Sequence, residues 1–447
     1  MNFTIRKTAL CVAISTLFLS PNGNAQSTSG FDLSKVNTIT TAVPFLRIVN
    51  DTRSGGMGDV GIAMSADANG AQLNGAKMAF IEKDFGVGLS FTPWLKSLVD
   101  DIYLANLSGY YRIKNVQTVH ASLRYFSLGN IVFKDEQNND LGTRRPQEIA
   151  VDAGYSRRFA DIFSVGVTLR FIYSSIAPGT PSVTGDQIKP GIAGAGDISW
   201  LVNKTFDTKG NDKMKHQLFV GMNLSNLGSK ITYTTNVTKD FIPANMGIGV
   251  GYSLHLDEKH TISAYMDVNK LLVPTPIPAS QLYVNGNNGA VKPEYDKNGN
   301  GVADFREKSS VSAMFTSFAD APGGSAEEIK EVNLGVGLEY FYKKMFGVRT
   351  GYFYEDKTKG SRQFLTVGAT VKYSVVALHL SYLVPTTSLR NPLDNTFRFS
   401  LNFEFNKGNK KAAADDAQNT FSEPLPKELK PKQMQLENMK RTEPKSE

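Results

Sequence analysis

The chain has 447 residues, of which 41% are hydrophobic, 20% charged and 39 are glycine, proportions that exclude a chain disordered throughout and a collagen-like repeat. Its formal charge of +7 is spread without a clustered basic face, which gives no reason to expect nucleic acid. Past the N-terminus no uncharged apolar run approaches the roughly 18 residues of a membrane helix, and a β-barrel is then the membrane architecture still open, because it needs only alternate residues to be apolar.

Residues 1–25 read as a secretory signal: Arg6 and Lys7 precede an apolar stretch from Ala9 to Leu19, and small residues follow at Gly23-Asn24-Ala25. The expected mature chain starts at Gln26. The one cysteine, Cys11, lies inside the signal, so disulfides, thiolate metal sites and a cysteine nucleophile are not expected.

Residues 26–82 do not alternate and are rich in small side chains, as in Arg53-Ser54-Gly55-Gly56-Met57-Gly58-Asp59-Val60-Gly61. A compact plug, able to approach barrel backbone closely, is the expected outcome. Within it, Gly56-Met57-Gly58-Asp59-Val60-Gly61 matches the dinucleotide pattern G-x-G-x-x-G, but no strand precedes it in a βαβ unit, and a tight turn is the better reading.

From residue 83 to 406 the sequence falls into runs of about ten residues with period two, the signature of a transmembrane barrel. In Phe397, Phe399, Leu401, Phe403 and Phe405 the odd positions are large and apolar, while Arg398, Ser400, Asn402 and Glu404 fill the even ones. Equivalent runs give 14 antiparallel strands, starting near residues 83, 102, 116, 146, 162, 192, 216, 245, 260, 331, 345, 363, 374 and 395. The fold class is therefore all-β. Long connections at 129–145, 174–190, 226–243 and 271–330 alternate with short turns, as external loops alternate with periplasmic turns; the connection 204–215 is intermediate. Inward positions carry Gly86 and Gly88, Gly247, Gly249 and Gly251, Gly335 and Gly337, which leaves room for packed material in the lumen.

The sharpest chemical motif lies in the 271–330 loop. Asp296-Lys297-Asn298-Gly299-Asn300-Gly301-Val302-Ala303-Asp304-Phe305-Arg306-Glu307 fits D-x-[DN]-x-[DN]-G-x5-E at every specified position. Calcium is the expected ion, held by Asp296, Asn298, Asn300, the Val302 carbonyl, Asp304 and Glu307. No catalytic set is expected. The five histidines, His120, His216, His255, His260 and His379, are scattered, and no G-x-S-x-G elbow occurs. Residues 407–447 hold nine basic and seven acidic residues, four prolines and no alternation. They read as a disordered periplasmic tail, with Lys432–Arg441 compatible with a short helix.

Several blocks together resemble the PorV family, the outer-membrane barrels of the type IX secretion system: Ala42-Val43-Pro44-Phe45-Leu46, Gly55-Gly56-Met57-Gly58-Asp59-Val60-Gly61, Leu123-Arg124-Tyr125-Phe126-Ser127-Leu128-Gly129, Asp240-Phe241-Ile242-Pro243-Ala244-Asn245 and Asp320-Ala321-Pro322-Gly323-Gly324. The resemblance implies a 14-stranded barrel similar to the FadL fatty-acid transporters, in the outer membrane and in contact with its lipid. It implies no enzyme, but a carrier that binds cargo through a C-terminal secretion domain at the giant translocon barrel and delivers it to a sortase-like attachment complex. Rival readings are transport of a hydrophobic small molecule in the FadL manner and removal of an acyl chain from lipopolysaccharide. The chain departs from the family pattern in Asn74-Gly75-Ala76, where Asn-Pro-Ala is expected, and in the longer tail after Asn406.

Overall fold

Alternation of apolar with small or polar residues gives each strand one face for lipid and one for the interior, and closing the sheet removes its edges. The computed structural model describes residues 36–407 apart from 95–100, 135–137, 139, 178–187, 209–210, 235–238, 287–288 and 388–394. Its strands are β1 (Phe85–Pro93), β2 (Ile102–Ile113) and β3 (Gln117–Leu128), then a separate hairpin of β4 (Ile131–Lys134) and β5 (Asp140–Arg144). They continue with β6 (Gln147–Ala160), β7 (Phe163–Ser175), β8 (Gly191–Thr208), β9 (Asn211–Gly228), β10 (Asn245–His255) and β11 (His260–Leu271). The last are β12 (Val332–Tyr342), β13 (Phe346–Tyr354), β14 (Gln363–Tyr373), β15 (Val376–Pro385) and β16 (Phe397–Phe405). All but β4 and β5 form one closed barrel of 14 strands. β1 closes it against β16, with Phe85 opposite Phe405 and Phe91 opposite Phe399.

The alternation is realised at the wall. Along β1, Phe85, Val87, Leu89 and Phe91 face outward while Gly86, Gly88, Ser90 and Thr92 are buried. Thirteen strands start within two residues of the expected positions, and β9 is the exception. It begins at Asn211, and β8 pairs with it as far as Thr208, so the span 204–215, expected to be a connection, is largely the tip of a long hairpin. Lys204 to Asp207 are exposed, and where both faces meet water the period-two signal stops although backbone pairing continues. The segment 129–145, expected to be a loop, contains the β4–β5 pairing for a similar reason. Ile131 and Val132 are consecutive and both exposed.

Residues 37–82 descend through the lumen from the external loops to the periplasmic start of β1. The Ala42 amide bonds to Phe241 in the loop after β9, Phe45 stacks on Phe126 near the external end of β3, and Asp84 bonds to the end of β16. Asp51 caps the turn Thr52–Gly55 by accepting from the Arg53 and Ser54 amides. The G-x-G-x-x-G segment is a close-approach turn. Gly58 has φ +69°, and a Cβ on it would fall 2.5 Å from the Tyr352 carbonyl oxygen. Gly351 answers from the wall, since a Cβ there would lie 2.1 Å from the Met57 carbonyl carbon.

Charged anchors complete the fit. Arg53 meets Glu339 through Nη2 to Oε2 at 2.6 Å and Nε to Oε1 at 3.0 Å, and Arg349 reaches the same carboxylate at 3.1 Å. Arg398 meets Asp59 at 2.6 Å, and Asp267 accepts from the Gly61 and Ile62 amides at 2.6 and 2.9 Å. Buried charges in such a setting are tolerated only when paired, and they become costly once a partner is removed.

Candidate functional site

The segment between β11 and β12 is a folded hood rather than an irregular loop. It contains helical turns at Ala279–Leu282, Asp304–Glu307, Ser310–Thr316 and Ser325–Lys330. Ser309 caps the third of these by accepting from the Ser312 amide. Below, Leu271, Leu272, Val273 and Ala244 form an apolar cluster against which Met314 packs.

Ion pairs fasten the hood to the rim. Lys270 at the end of β11 reaches Glu331 at 2.7 Å and Glu328 at 2.9 Å, and Lys359 between β13 and β14 reaches Glu327 at 2.6 Å and Glu331 at 3.0 Å. The Asn37 amide donates to Glu327 at 2.9 Å, tying the N-terminal segment into the same network. Burial pushes the Glu327 carboxyl up, but bonds from Lys359, Asn37 and the Gly323 amide outweigh it and hold the group below the usual carboxylate range.

Large apolar side chains of the hood are exposed. Val311 and Phe315, four apart in the Ser310–Thr316 helix, share one side of it, Phe318 follows its end, and Ala313 is buried. Phe315 is 78% exposed and Ile329 73%.

The twelve-residue motif is also in the hood, and its residues hydrogen-bond to one another across the turn. Asp296 accepts from the amides of Asn300 at 3.1 Å and Gly301 at 2.7 Å, and Asn300 Oδ1 accepts from the Val302 amide at 2.8 Å. Glu307 folds back over the turn, accepting from Asn298 Nδ2 at 2.7 Å and Asn300 Nδ2 at 2.5 Å. Asp304 instead accepts from the Lys297 amide at 3.2 Å. Among the described residues no group of three or more His, Cys, Asp or Glu side chains is arranged to hold a metal ion, so Asp296, Asp304 and Glu307 are close in sequence without converging as a carboxylate cluster.

Above the plug, on the external side, lies a cavity of about 110 Å³ lined by arginines such as Arg124 and Arg170 and by side-chain amides such as Asn223 and Asn226. At its mouth Arg362 pairs with Glu355 through Nη2 to Oε1 at 2.7 Å, and Arg47 approaches the same carboxylate at 3.9 Å. Burial raises Glu355, yet the Arg362 hydrogen bond and charge, with Arg47, keep it ionised below the usual range. Deeper in, Arg170 bridges Asp152 at 2.7 Å and Asp197 at 2.9 Å and donates to Asn226 Oδ1, while Arg124 donates to Asp152 at 3.0 Å. A second cavity, of about 310 Å³, lies on the periplasmic side beneath Phe80 and Ile81.

Sequence reading did not single out the arginines. Arg124 and Arg170 sit at inward positions of β3 and β7, where the pattern distinguishes inside from outside but not which inward residues meet across the lumen. The histidines stay apart. His120 bonds to Thr168 at 3.1 Å and His379 to Thr370 at 2.7 Å as buried lumen residues, while His216, His255 and His260 lie at the periplasmic ends of strands. The tail 408–447, with the short helix considered for Lys432–Arg441, lies outside the described residues.

Fourteen antiparallel strands with a lipid-facing apolar band, long connections on one side and a plugged interior define an outer-membrane β-barrel. The model of the family described as Type IX secretion system protein PorV matches residues 32–278, more than half of the chain, and the chain belongs to that family. It is thus a component of the type IX secretion system. Among solved structures, the Pseudomonas putida toluene transporter TodX is similar at 10% identity and a TM-score of 0.43, covering 79% of this chain and 98% of its own. The Ralstonia pickettii toluene transporter TbuX is similar at 11% identity and a TM-score of 0.38, covering 79% and 97%. A Pseudomonas aeruginosa FadL homologue is similar at 8% identity and a TM-score of 0.37, covering 83% and 100%. No curated protein sequence matches the chain.

Proposed function

We propose that this barrel is the cargo carrier of its secretion system. It binds secreted proteins through their C-terminal secretion domains as they leave the giant translocon barrel, and it brings them to a sortase-like complex that attaches them to the cell surface. The observation that carries this reading is the hood: a folded external segment, fastened to the rim by Lys270 and Lys359, that holds large apolar side chains such as Phe315 and Ile329 in the open. An exposed apolar patch on an ordered element marks an interaction surface more often than a solvated one. Family membership supplies the secretion context.

Deleting the gene should leave cargo unreleased, with its C-terminal domain still attached. Restoring it with Phe315→Glu and Ile329→Glu should insert the barrel but recover cargo display poorly. Normal surface display of cargo in the deletion strain would sink the carrier role. Recovery of only the barrel with bound lipid, after gentle solubilisation and capture, would instead favour transport of a hydrophobic molecule.

Calcium is proposed as a structural ion of the hood, held by Asp296, Asn298, Asn300, Val302, Asp304 and Glu307. The support is the motif's spacing together with positive φ at Gly299 and Gly301, which lets the turn fold back on Asp296. With carboxylates at three of the six positions, binding would fall in the roughly 0.1–1 mM range of extracellular modules. Calcium should protect the hood from protease in the parent and not in Asp296→Ala with Glu307→Ala. Equal protection throughout rejects the site.

A further inference from the structure

The external cavity is lined by residues with hydrogen-bonding groups that no other described residue uses. Arg124 is fully buried and donates through Nη2 to Asp152; among the described residues its Nε and Nη1 have no hydrogen-bond partner. In the same cavity lining, Asn223 uses Nδ2 on the Leu73 carbonyl at 3.0 Å, and its buried Oδ1 has no partner among the described residues. Buried polar groups in native proteins are nearly always satisfied, so orphaned ones on two residues that line one cavity call for an occupant. Neighbouring Arg170 does not share this property, because Asp152, Asp197 and Asn226 take up its donors.

We infer that this cavity is a binding site for a carboxylate carrying an adjacent N–H donor. Hydrogen bonds from a guanidinium to a carboxylate are roughly twice as strong as those between neutral groups, so the unused Arg124 Nε and Nη1 favour an acid, and the unused Asn223 acceptor requires a donor beside that carboxylate. An isolated phosphate or acetate would satisfy the arginine and leave the amide oxygen unpaired. An N-acyl amino acid or the last residue of a peptide supplies both groups in one ligand. The 110 Å³ volume accommodates such an end group. Access is from outside, past Arg47 and Arg362, whose side chains are 23% and 31% exposed and supply positive charge at the entrance. The inference does not depend on the cargo reading, since a free small acid would occupy the same groups.

The test is calorimetric titration of the detergent-solubilised full-length mature chain with N-acetylglycine, N-acetylglycine amide, acetate, phosphate and an N-acetylated tripeptide acid. N-acetylglycine is expected to bind at least about tenfold more tightly than its amide and than acetate, the change that loss of one charge-assisted bond produces. Arg124→Gln should abolish the preference for acid over amide, and Asn223→Ala should bring N-acetylglycine down to the affinity of acetate. Binding of the tripeptide acid at least as tight as N-acetylglycine assigns the site to a chain terminus; its exclusion assigns the site to a free small acid. Equal binding of acid and amide, binding of none of them, or phosphate outcompeting N-acetylglycine overturns the inference. If Arg124→Gln fails to insert, the comparison of acid with amide on the parent protein decides alone.

Discussion

Replacing Glu339 by Gln should loosen the plug without opening the barrel. Glu339 sits at an inward position of β12 and takes two bonds from Arg53 and one from Arg349, at 2.6, 3.0 and 3.1 Å. Its side chain is 2% exposed, so water cannot replace it. Gln preserves the size but leaves two buried guanidinium groups facing a neutral amide, and breaking a buried pair by removing one charge costs about 3–5 kcal/mol. At 1.4 kcal/mol per tenfold, the open population of the plug should rise on the order of a hundred- to a few-thousandfold. Native-state hydrogen exchange is the direct assay. The Gly55, Met57 and Asp59 amides, which bond to Asp51 and Ser54 carbonyls within the plug turn, should lose protection by that factor. Amides of the β12–β13 ladder, such as those pairing Gly337 with Gly351, should keep theirs because the wall does not depend on the plug for its bonds. Unchanged protection at the plug amides would refute the reasoning, as would an equal loss in plug and wall, which would show that the two unfold as one unit.

Two further outcomes follow from the same packing. Gly351→Val places a side chain against Met57 backbone, which cannot swing aside as a flexible side chain could; a loss of about 1–3 kcal/mol in plug seating is expected, read as new protease cleavage within residues 52–64 while heat-modifiability of the barrel persists. The hood should come loose in acid. Because the folded state depresses Glu327, its contribution is present above the unfolded value of about 4.3 and is lost as pH falls through the lower folded value; protease release of the hood should therefore rise below about pH 4 in the parent, and Lys359→Met should remove most of that dependence.

Strand number, the order of long and short connections and the inward glycines were legible in the sequence, because lipid and a packed interior impose opposite demands on alternate residues of every strand. Where that contrast fades the reading failed, as at Lys204–Asp207, where both faces are wet and the strand runs on beyond the expected turn, and at Ile131–Val132, where a hairpin forms without alternation. The motif from Asp296 to Glu307 was legible as spacing, whereas the direction each side chain takes, with Asp304 turned to the Lys297 amide, is set by how the hood folds back on itself. Arg124 and Asn223 show the remaining gap most plainly. They are 99 positions apart, on strands separated in the barrel order by three others, and each alone is an ordinary inward polar residue. Only closure of the sheet around a plug brings them to one cavity, and a short-range pattern carries no trace of a meeting that depends on the whole circumference.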